Sequence, residues 1–182
     1  MTQYAAFLRA INVGKRRVKM NELQSILVDA GLENVSTLIA SGNVWLQTPL
    51  KSVAKLRAQI EQHLLHSLGF EVDTFLRTKS QLESIWEVNP FAIDQANDDQ
   101  VHVHVLFFHE PLQAGTVEVL RRNQTRTDQI EIIGKEAYWR CLGRMTDSVY
   151  WAQPEVKKIK LPINTARNIE TIKRMIKVSQ AK

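Results

Sequence analysis

The chain has 182 residues, of which 44% are hydrophobic, and its formal net charge at pH 7 is +5. This length suits one ordinary domain or two small subdomains, and the hydrophobic content excludes a disordered chain. The single cysteine, Cys141, excludes an internal disulfide and a cysteine-based zinc site. No stretch resembles a membrane span or the cationic start of a signal peptide, so we predict a cytoplasmic protein that does not enter a membrane.

The charge is distributed unevenly along the chain. Residues 1–80 carry a net charge of +4, residues 81–149 a net charge of −5, and residues 150–182 a net charge of +6. If the two basic ends meet, they form a positive face suited to nucleic acid or to a phosphorylated small molecule. Basic ends that only solubilise the chain, or that pair with its acidic middle, explain the same pattern.

The first half of the chain shows the order β-α-β-β-α-β. The alternation of apolar residues, the helix stop signals at Gly31 and Gly69, and the cap residue Ser52 define the elements. Two strands surround the turn Ser41–Gly42, as in a β-hairpin. The predicted strands are residues 4–11, 35–40, 43–48 and 71–78, and the predicted helices are residues 20–30 and 52–68.

The second half repeats most of this order as β-α-β-β-α. A short helix capped by Ser80 precedes it, and the final helix is predicted to start at residue 166 with Asn164 or Thr165 as its cap. Any last strand is short or missing. The predicted strands are residues 101–108 and two strands on either side of Gly134. One predicted helix runs from just after Pro111 to about Arg122, and the final helix covers residues 166–178.

This order predicts an α+β fold of two tandem ferredoxin-like subdomains, each an antiparallel sheet with helices on one face. The first subdomain would cover residues 1–88 and the second residues 89–182. The boundary is placed in the polar, acidic segment 88–100, which contains a proline.

A ferredoxin-like sheet, with strand order 4-1-3-2, brings two polar segments to one sheet edge, because the end of strand one lies beside the start of strand three. A glycine lets the backbone approach a ligand, asparagine and serine offer hydrogen bonds, and the cations supply charge. The alternative is that the glycines serve only turn dihedrals and that the asparagine and serine bond local backbone groups. The candidate anion ligands from these segments are Arg9, Asn12, Gly14, Lys15, Ser41, Gly42 and Asn43.

Residues 8–47, "LRAINVGKRRVKMNELQSILVDAGLENVSTLIASGNVWLQ", and the later segment "NTARNIETIKRM" resemble the domain of unknown function 1697 family. The resemblance implies a two-subdomain α+β fold and brings no established activity. It adds Thr165, Arg167 and Asn168 to the candidate site as a third polar motif. The chain departs from the family pattern at Ala10 and Lys15, where the family has glycine, and at Ile169, where it has tryptophan.

Other patterns give weaker predictions. His102 and His104 lie on one strand face with metal-ligand spacing, yet a pair on a solvated sheet face has the same pattern, and we predict no metal and no cofactor. No nucleophile–base set or nucleotide-binding loop is present. Trp45 and Phe7 do not reproduce the aromatic pattern of RNA-recognition domains.

We therefore expect a non-enzymatic binder of a phosphate-bearing anionic ligand, with nucleic acid as one candidate. The alternative is a small enzyme that acts on an anionic metabolite at the same site. Whether the protein is an enzyme, and its oligomeric state, stay open at this point.

Overall fold

The computed structural model of the protein describes residues 1–38 and 42–180, the last of these by its backbone only. Short 3-10 turns precede the sixth helix. The strands are β1 Thr2–Leu8, β2 Glu33–Leu38, β3 Asn43–Thr48, β4 Thr74–Thr78, β5 Val101–Phe107, β6 Asp128–Ile133, β7 Glu136–Leu142 and β8 Thr165–Asn168. The helices are α1 Met20–Asp29, α2 Val53–Leu68, α3 Lys79–Glu87, α4 Ala92–Asn97, α5 Ala114–Arg122, α6 Pro154–Lys158 and α7 Ile169–Gln180.

The chain forms two units. The first contains residues 1–84 and the chain from Arg174 onward, and the second contains Ile85–Lys173. Both divisions fall inside helices, α3 and α7, whereas the predicted boundary was residue 88 and the predicted second subdomain kept the whole final helix. The segment 88–100, predicted as a connection, contains the short helix α4.

The first unit is a four-stranded antiparallel sheet in the order β2-β3-β1-β4. This is the predicted ferredoxin-like order, and it is confirmed. The apolar stripes of α1 and α2, including Leu23, Leu27, Leu56 and Ile60, are fully buried in one core with the inward residues of the sheet. Burial of these side chains is the main source of stability for this unit.

Helix α2 shows how the local sequence sets an element's ends. The Ser52 side chain accepts a hydrogen bond from the Lys55 N–H at 3.3 Å, which satisfies one of the N–H groups that a helix start leaves without a partner. At the other end Gly69 adopts φ 74, a left-handed conformation that glycine takes without steric cost. Both predicted ends of this helix are confirmed.

The opposite face of the first sheet is also buried. Ala5 and Phe7 are 0% exposed, and Trp45 is 3% exposed. The indole N–H of Trp45 donates to the carbonyl oxygen of Met175 in α7 at 2.9 Å, so the last turns of α7 contact this face. The prediction of helices on one face only is therefore incomplete for this unit.

The second unit repeats the plan with the order β6-β7-β5-β8, again antiparallel. One sheet face packs in a core with Leu120 of α5, Tyr150 and Val156 of α6. Helix α4 lies on the other face, because Asp94 forms an ion pair with Arg140, which is next to Val103 in the strand register. Helices therefore lie on both faces of this sheet as well: Val101, Val103 and Val105 are buried on one side of β5, and Leu106 packs in the core on the other.

Residues 165–168 correct the prediction for the end of the chain. The final helix was predicted to start at residue 166 with Asn164 or Thr165 as its cap, but Thr165–Asn168 form the short strand β8 instead, paired with β5 from His104 to Phe107. Helix α7 starts only at Ile169, where the Asn168 side chain accepts a hydrogen bond from the Glu170 N–H at 2.8 Å. The edge of β5 offers backbone groups that a strand can pair and a helix cannot.

Candidate functional site

The loop that follows β1 is closed by Asn12. Its side-chain amide donates to the carbonyl oxygen of Val18 at 3.1 Å, and its side-chain oxygen accepts from the Val18 N–H at 2.7 Å. These two bonds join residues that are six apart and hold residues 12–18 as one closed loop. The geometry therefore shows the local backbone bonding that was the alternative for Asn12, and its role as a ligand stays a prediction.

Two residues of this loop have positive φ. Gly14 has φ 65 with open space where a Cβ would lie, and Ala10 has φ 55. Left-handed dihedrals cost little for glycine and more for residues with a Cβ. Ala10 stands where the family pattern has glycine, so the chain keeps a glycine-type backbone conformation there without the glycine.

Four cations lie exposed on this loop, and we name them the basic loop: Lys15, Arg16, Arg17 and Lys19. The Arg17 guanidinium donates to the carbonyl oxygens of Gly14 at 2.9 Å and Arg16 at 2.7 Å. The Arg16 guanidinium lies 4.2 Å from the centre of the Phe70 ring. Among the ion pairs within residues 1–38 and 42–180, none involves these four side chains.

Arg9 differs from the basic loop in having an acidic partner. Its guanidinium lies 3.2 Å from the carboxylate of Asp73, and the Arg9 N–H donates to the carbonyl oxygen of the same residue at 2.9 Å. The pair is half exposed and is worth little for stability. It lowers the charge that Arg9 offers to an anion, so its predicted ligand role is the weakest of the loop cations.

The start of β3 lies beside the end of β1, as the strand order predicted. The Leu8 N–H donates to the carbonyl oxygen of Gly42 at 2.8 Å, and Phe7 pairs with Asn43. Asn43 is fully buried, and its amide donates to the carbonyl oxygen of Leu38 at 3.1 Å, across the hairpin. Gly42 and Asn43 therefore hold the hairpin against β1, and the third residue of that motif, Ser41, lies outside the described residues.

The third predicted motif lies in the second unit. The Arg167 guanidinium donates to the hydroxyl of Thr165 at 2.7 Å and to the carbonyl oxygen of Ala166 at 2.8 Å. Burial lowers the pKa of Arg167 to about 10, because a charged group loses hydration there. Asn168 caps α7, so all three residues have structural bonds, and their ligand roles stay predictions.

The histidine pair of β5 belongs to a packed face. The His104 ring lies 5.4 Å from that of Trp139, and its pKa is lowered by burial and, to a smaller extent, by the charge of His102. Just after the end of β5, the Lys135 ammonium donates to the carbonyl oxygen of His109 at 2.7 Å and to the carboxylate of Glu110 at 3.2 Å. Within the described residues, no group of three or more His, Cys, Asp or Glu side chains is arranged to hold a metal ion.

Cys141 is expected to be unreactive in the folded protein. It is fully buried, and burial, followed by the charge of Asp128, raises the pKa of its thiol to about 11. Because the folded state disfavours the thiolate, stability is expected to fall as the pH rises above 9 toward 11. Labelling with a thiol reagent at pH 8 should be at least about 100-fold faster in denaturant than in buffer; equal rates would contradict the buried position.

The aromatic residues of β1 and β3 offer no stacking platform. Phe7 is fully buried and Trp45 is 3% exposed with its indole N–H bonded to Met175. Base stacking needs an exposed ring face. Neither ring is therefore available to stack on a base.

One feature was not predicted from the sequence. A cleft of ≈ 280 Å³ in the first unit is lined mainly by polar, uncharged side chains, and we name it the amide cleft. Its polar and aromatic lining residues are Gln3, Asn34, Ser36, Trp45, Gln47 and Ser179. The polar residues within β1 and β3 are visible in the sequence, but their position beside the last turn of α7 is not.

No helix within residues 1–38 and 42–180 combines the length and the apolar character needed to cross a bilayer. The helix α7 has its hydrophobic residues on one side only, with Ile169, Ile172 and Ile176 buried. The lysines Lys173 and Lys177 lie on other sides of the same helix, as in an ordinary amphipathic helix of a folded unit.

Comparison with known proteins gives a family and a fold, without an activity. The family model described as "Protein of unknown function (DUF1697)" matches residues 1–138, which include the basic loop and exclude Thr165–Asn168. The structure of the conserved bacterial protein SP0830 from Streptococcus pneumoniae is similar over 99% of both chains, with 26% identity and a TM-score of 0.73. None of the curated proteins matches the chain significantly. With three quarters of its length matched, the chain belongs to the DUF1697 family of proteins of unknown function.

Proposed function

We propose that the protein is a non-enzymatic binder of a phosphate-bearing anionic ligand, with nucleic acid as the leading candidate, and that the basic loop is its main contact. The single observation that carries the proposal is the state of the four cations. Lys15, Arg16, Arg17 and Lys19 are exposed on a closed loop, and no ion pair within the described residues uses them. Clustered cations without acidic partners attract phosphate and release its counterions on binding.

The order of the loop supports a binding role. The side chains of Asn12 and Arg17 form hydrogen bonds with backbone groups of the loop, so these bonds fix the loop conformation before a ligand binds. A preorganised loop loses less conformational entropy on binding than a mobile one. Arg16 lies over Phe70, which restricts a third side chain and leaves the guanidinium edge for hydrogen bonds.

The helix that follows the loop supports the same sign of charge. Helix α1 begins at Met20 directly after the basic loop, and its N-cap residue Lys19 makes no side-chain capping bond. The positive end of a helix dipole favours an anion. In the first turn the Glu22 N–H already donates to the Asn21 side-chain oxygen at 2.9 Å, and the Glu22 carboxylate carries the opposite charge. The dipole therefore adds to the loop cations, and the loop cations carry the proposal.

The first test uses the two lysines, because their side chains make no hydrogen bond within the described part of the chain. We expect Lys15→Gln/Lys19→Gln to weaken binding of a short labelled RNA or DNA and to reduce the slope of log K against log salt by about 2. The measurement is fluorescence anisotropy between about 50 and 200 mM salt. Lys51→Gln/Lys55→Gln, with the same change of charge on two exposed lysines of the same unit, is the matched control and should bind almost as wild type.

The same titration separates the possible outcomes. Equal losses in both double variants would show a general charge effect and contradict the basic loop as the contact. Displacement of the labelled strand by inorganic pyrophosphate or by one nucleotide at low concentration, with a weak salt slope, would favour a metabolite site. Absence of any binding at low salt would overturn the proposal. The cytoplasmic location stays a prediction from the sequence.

A further inference from the structure

The amide cleft lies on the sheet face of the first unit that is opposite α1 and α2. In the strand register Gln3 pairs with Gln47, and Trp45 pairs with both Ala5 and Ser36, so these side chains share one face. The C-terminal end of α7 closes one wall, where the Ser179 hydroxyl donates to the Ile176 carbonyl oxygen at 2.6 Å. Trp45 is fixed beside the cleft by its bond to Met175, so its indole N–H is already used.

Asn34 stands at an irregular point of this face. The pairing of β2 with β3 shifts register between Glu33 and Ser36, and Asn34 within that bulge has φ 49. Its side-chain amide donates to the side-chain oxygen of Gln47 at 2.7 Å. Asparagine adopts the left-handed region more readily than most residues other than glycine, because its short polar side chain bonds locally. Here this conformation places the carboxamide within hydrogen-bond distance of the neighbouring strand.

Several hydrogen-bonding groups of the cleft have no protein partner within residues 1–38 and 42–180. The side-chain oxygen of Gln47 accepts a hydrogen bond from Asn34. The N–H groups of Gln47 and the side-chain oxygen of Asn34 therefore stay available as a donor and an acceptor. The Gln3 amide and the Ser36 hydroxyl also make no hydrogen bond to the described part of the chain. Three carboxamides and a hydroxyl thus face one cavity with donors and acceptors to offer.

The chemistry of the lining determines the charge of the ligand. None of the residues that line the cleft is ionisable. An ion moved from water into such a site would lose hydration without gaining an opposite charge. A carboxamide presents a donor and an acceptor side by side, and it pairs best with a planar edge that carries both, as in the recognition of adenine by Asn or Gln.

We propose that the amide cleft is a second binding site, specific for a small uncharged ligand with a cyclic amide or nucleobase edge. The volume of ≈ 280 Å³ is just below that of drug-sized pockets and suits one ring system with a substituent. The cleft shares no residue with the basic loop. This site is independent of the proposed function, so either can fail without the other.

The test titrates uridine and adenosine, with glucose as an uncharged polyol, into isotopically labelled full-length protein followed by NMR. We expect the nucleosides to saturate with shifts at the side-chain amides of Asn34 and Gln47 and at the Trp45 indole N–H. The exposed amide of Gln62 on α2 is the internal control and should not move. Asn34→Gly should weaken nucleoside binding about tenfold, because one amide partner is lost, while the Tm stays equal or rises, because glycine suits φ 49.

Each other result counts against the proposal. No saturation by either nucleoside up to about 10 mM, which corresponds to a binding free energy weaker than about 3 kcal/mol, would overturn the site. Stronger binding of glucose than of the nucleosides would overturn the ligand class. Unchanged nucleoside binding in both Asn34→Gly and Ser36→Ala would show that the cleft is not where the nucleoside lies.

Discussion

Replacing Gly42 by alanine is expected to lower the free energy of unfolding by about 3 kcal/mol or more, which is the first of the two largest effects that we predict. Gly42 has φ 74, and a Cβ there would lie 2.8 Å from Cγ2 of Ile11 and 3.0 Å from Cβ of Leu8. These neighbours are fully buried and cannot move aside at low cost. Backbone strain and overpacking therefore add at this position.

Gly14 provides the matched control for this prediction. It has φ 65, close to that of Gly42, and nothing lies within 4 Å of a Cβ placed there. Gly14→Ala should therefore cost only the strain of the left-handed backbone, about 1 kcal/mol. Urea unfolding of both variants, followed by circular dichroism, measures the difference; equal losses would show that the close approach of Gly42 to β1 does not exist in solution.

The Gly42 variant also tests how the hairpin supports the basic loop. Leu8 and Ile11 anchor the start of that loop, and both would be displaced by a Cβ at position 42. If the loop binds phosphate, nucleic-acid affinity should fall in Gly42→Ala at temperatures where the protein is still folded. Gly14→Ala should then affect affinity through the loop alone, with only the loss of about 1 kcal/mol in stability that its backbone strain causes.

Replacing Asp128 by alanine is the second large effect, with an expected loss of about 3 kcal/mol or more. Asp128 is 2% exposed, and its carboxylate accepts from the indole N–H of Trp139 at 3.0 Å and from the hydroxyls of Ser148 at 2.6 Å and Thr127 at 2.8 Å. Alanine leaves the buried indole N–H of Trp139 without an acceptor and removes the partner of the half-buried Ser148 hydroxyl. This network joins β6, β7 and the turn before α6, so the whole second core should loosen.

Two variants calibrate the Asp128 prediction. Asp128→Asn keeps one acceptor oxygen for Trp139 and Ser148 and should lose only about 1–2 kcal/mol. Asp147→Ala removes a carboxylate that is 54% exposed and paired with Arg144, and it should change stability by less than about 0.5 kcal/mol. Differential scanning calorimetry measures all three; a loss in Asp128→Ala no greater than in Asp147→Ala would contradict the buried network.

The polar and glycine residues of the candidate site can be identified from the sequence, but their roles cannot. Asn12, Gly42 and Asn43 were selected as polar or glycine positions in the opening motifs. Each proves to bond or contact the protein itself, through Val18, Leu8 and Leu38 respectively. Residue type alone does not distinguish an amide that binds a ligand from one that closes a loop, because both need the same donor and acceptor.

Local sequence signals determined the elements of this protein and the order of its sheets. The cap at Ser52, the stop at Gly69 and the alternation along β1 and β3 act over a few residues, so they are visible without a structure. The ferredoxin-like strand order then followed from general rules for connecting strands and helices. The exact ends, the short helices α4 and α6, and the short strand β8 escaped these rules.

Tertiary structure alone decided the features that depend on distant partners. Residues 165–168 became a strand because the edge of β5, about sixty residues earlier, had backbone groups to pair. Arg9 gained a carboxylate partner from Asp73, 64 residues away, while the cations of the basic loop gained none within the described chain. The amide cleft formed where a bulge in β2 met the end of α7. The physical reason is common to all three: the energy of a polar or backbone group depends on the partner that folding brings to it, which its neighbours in sequence do not specify.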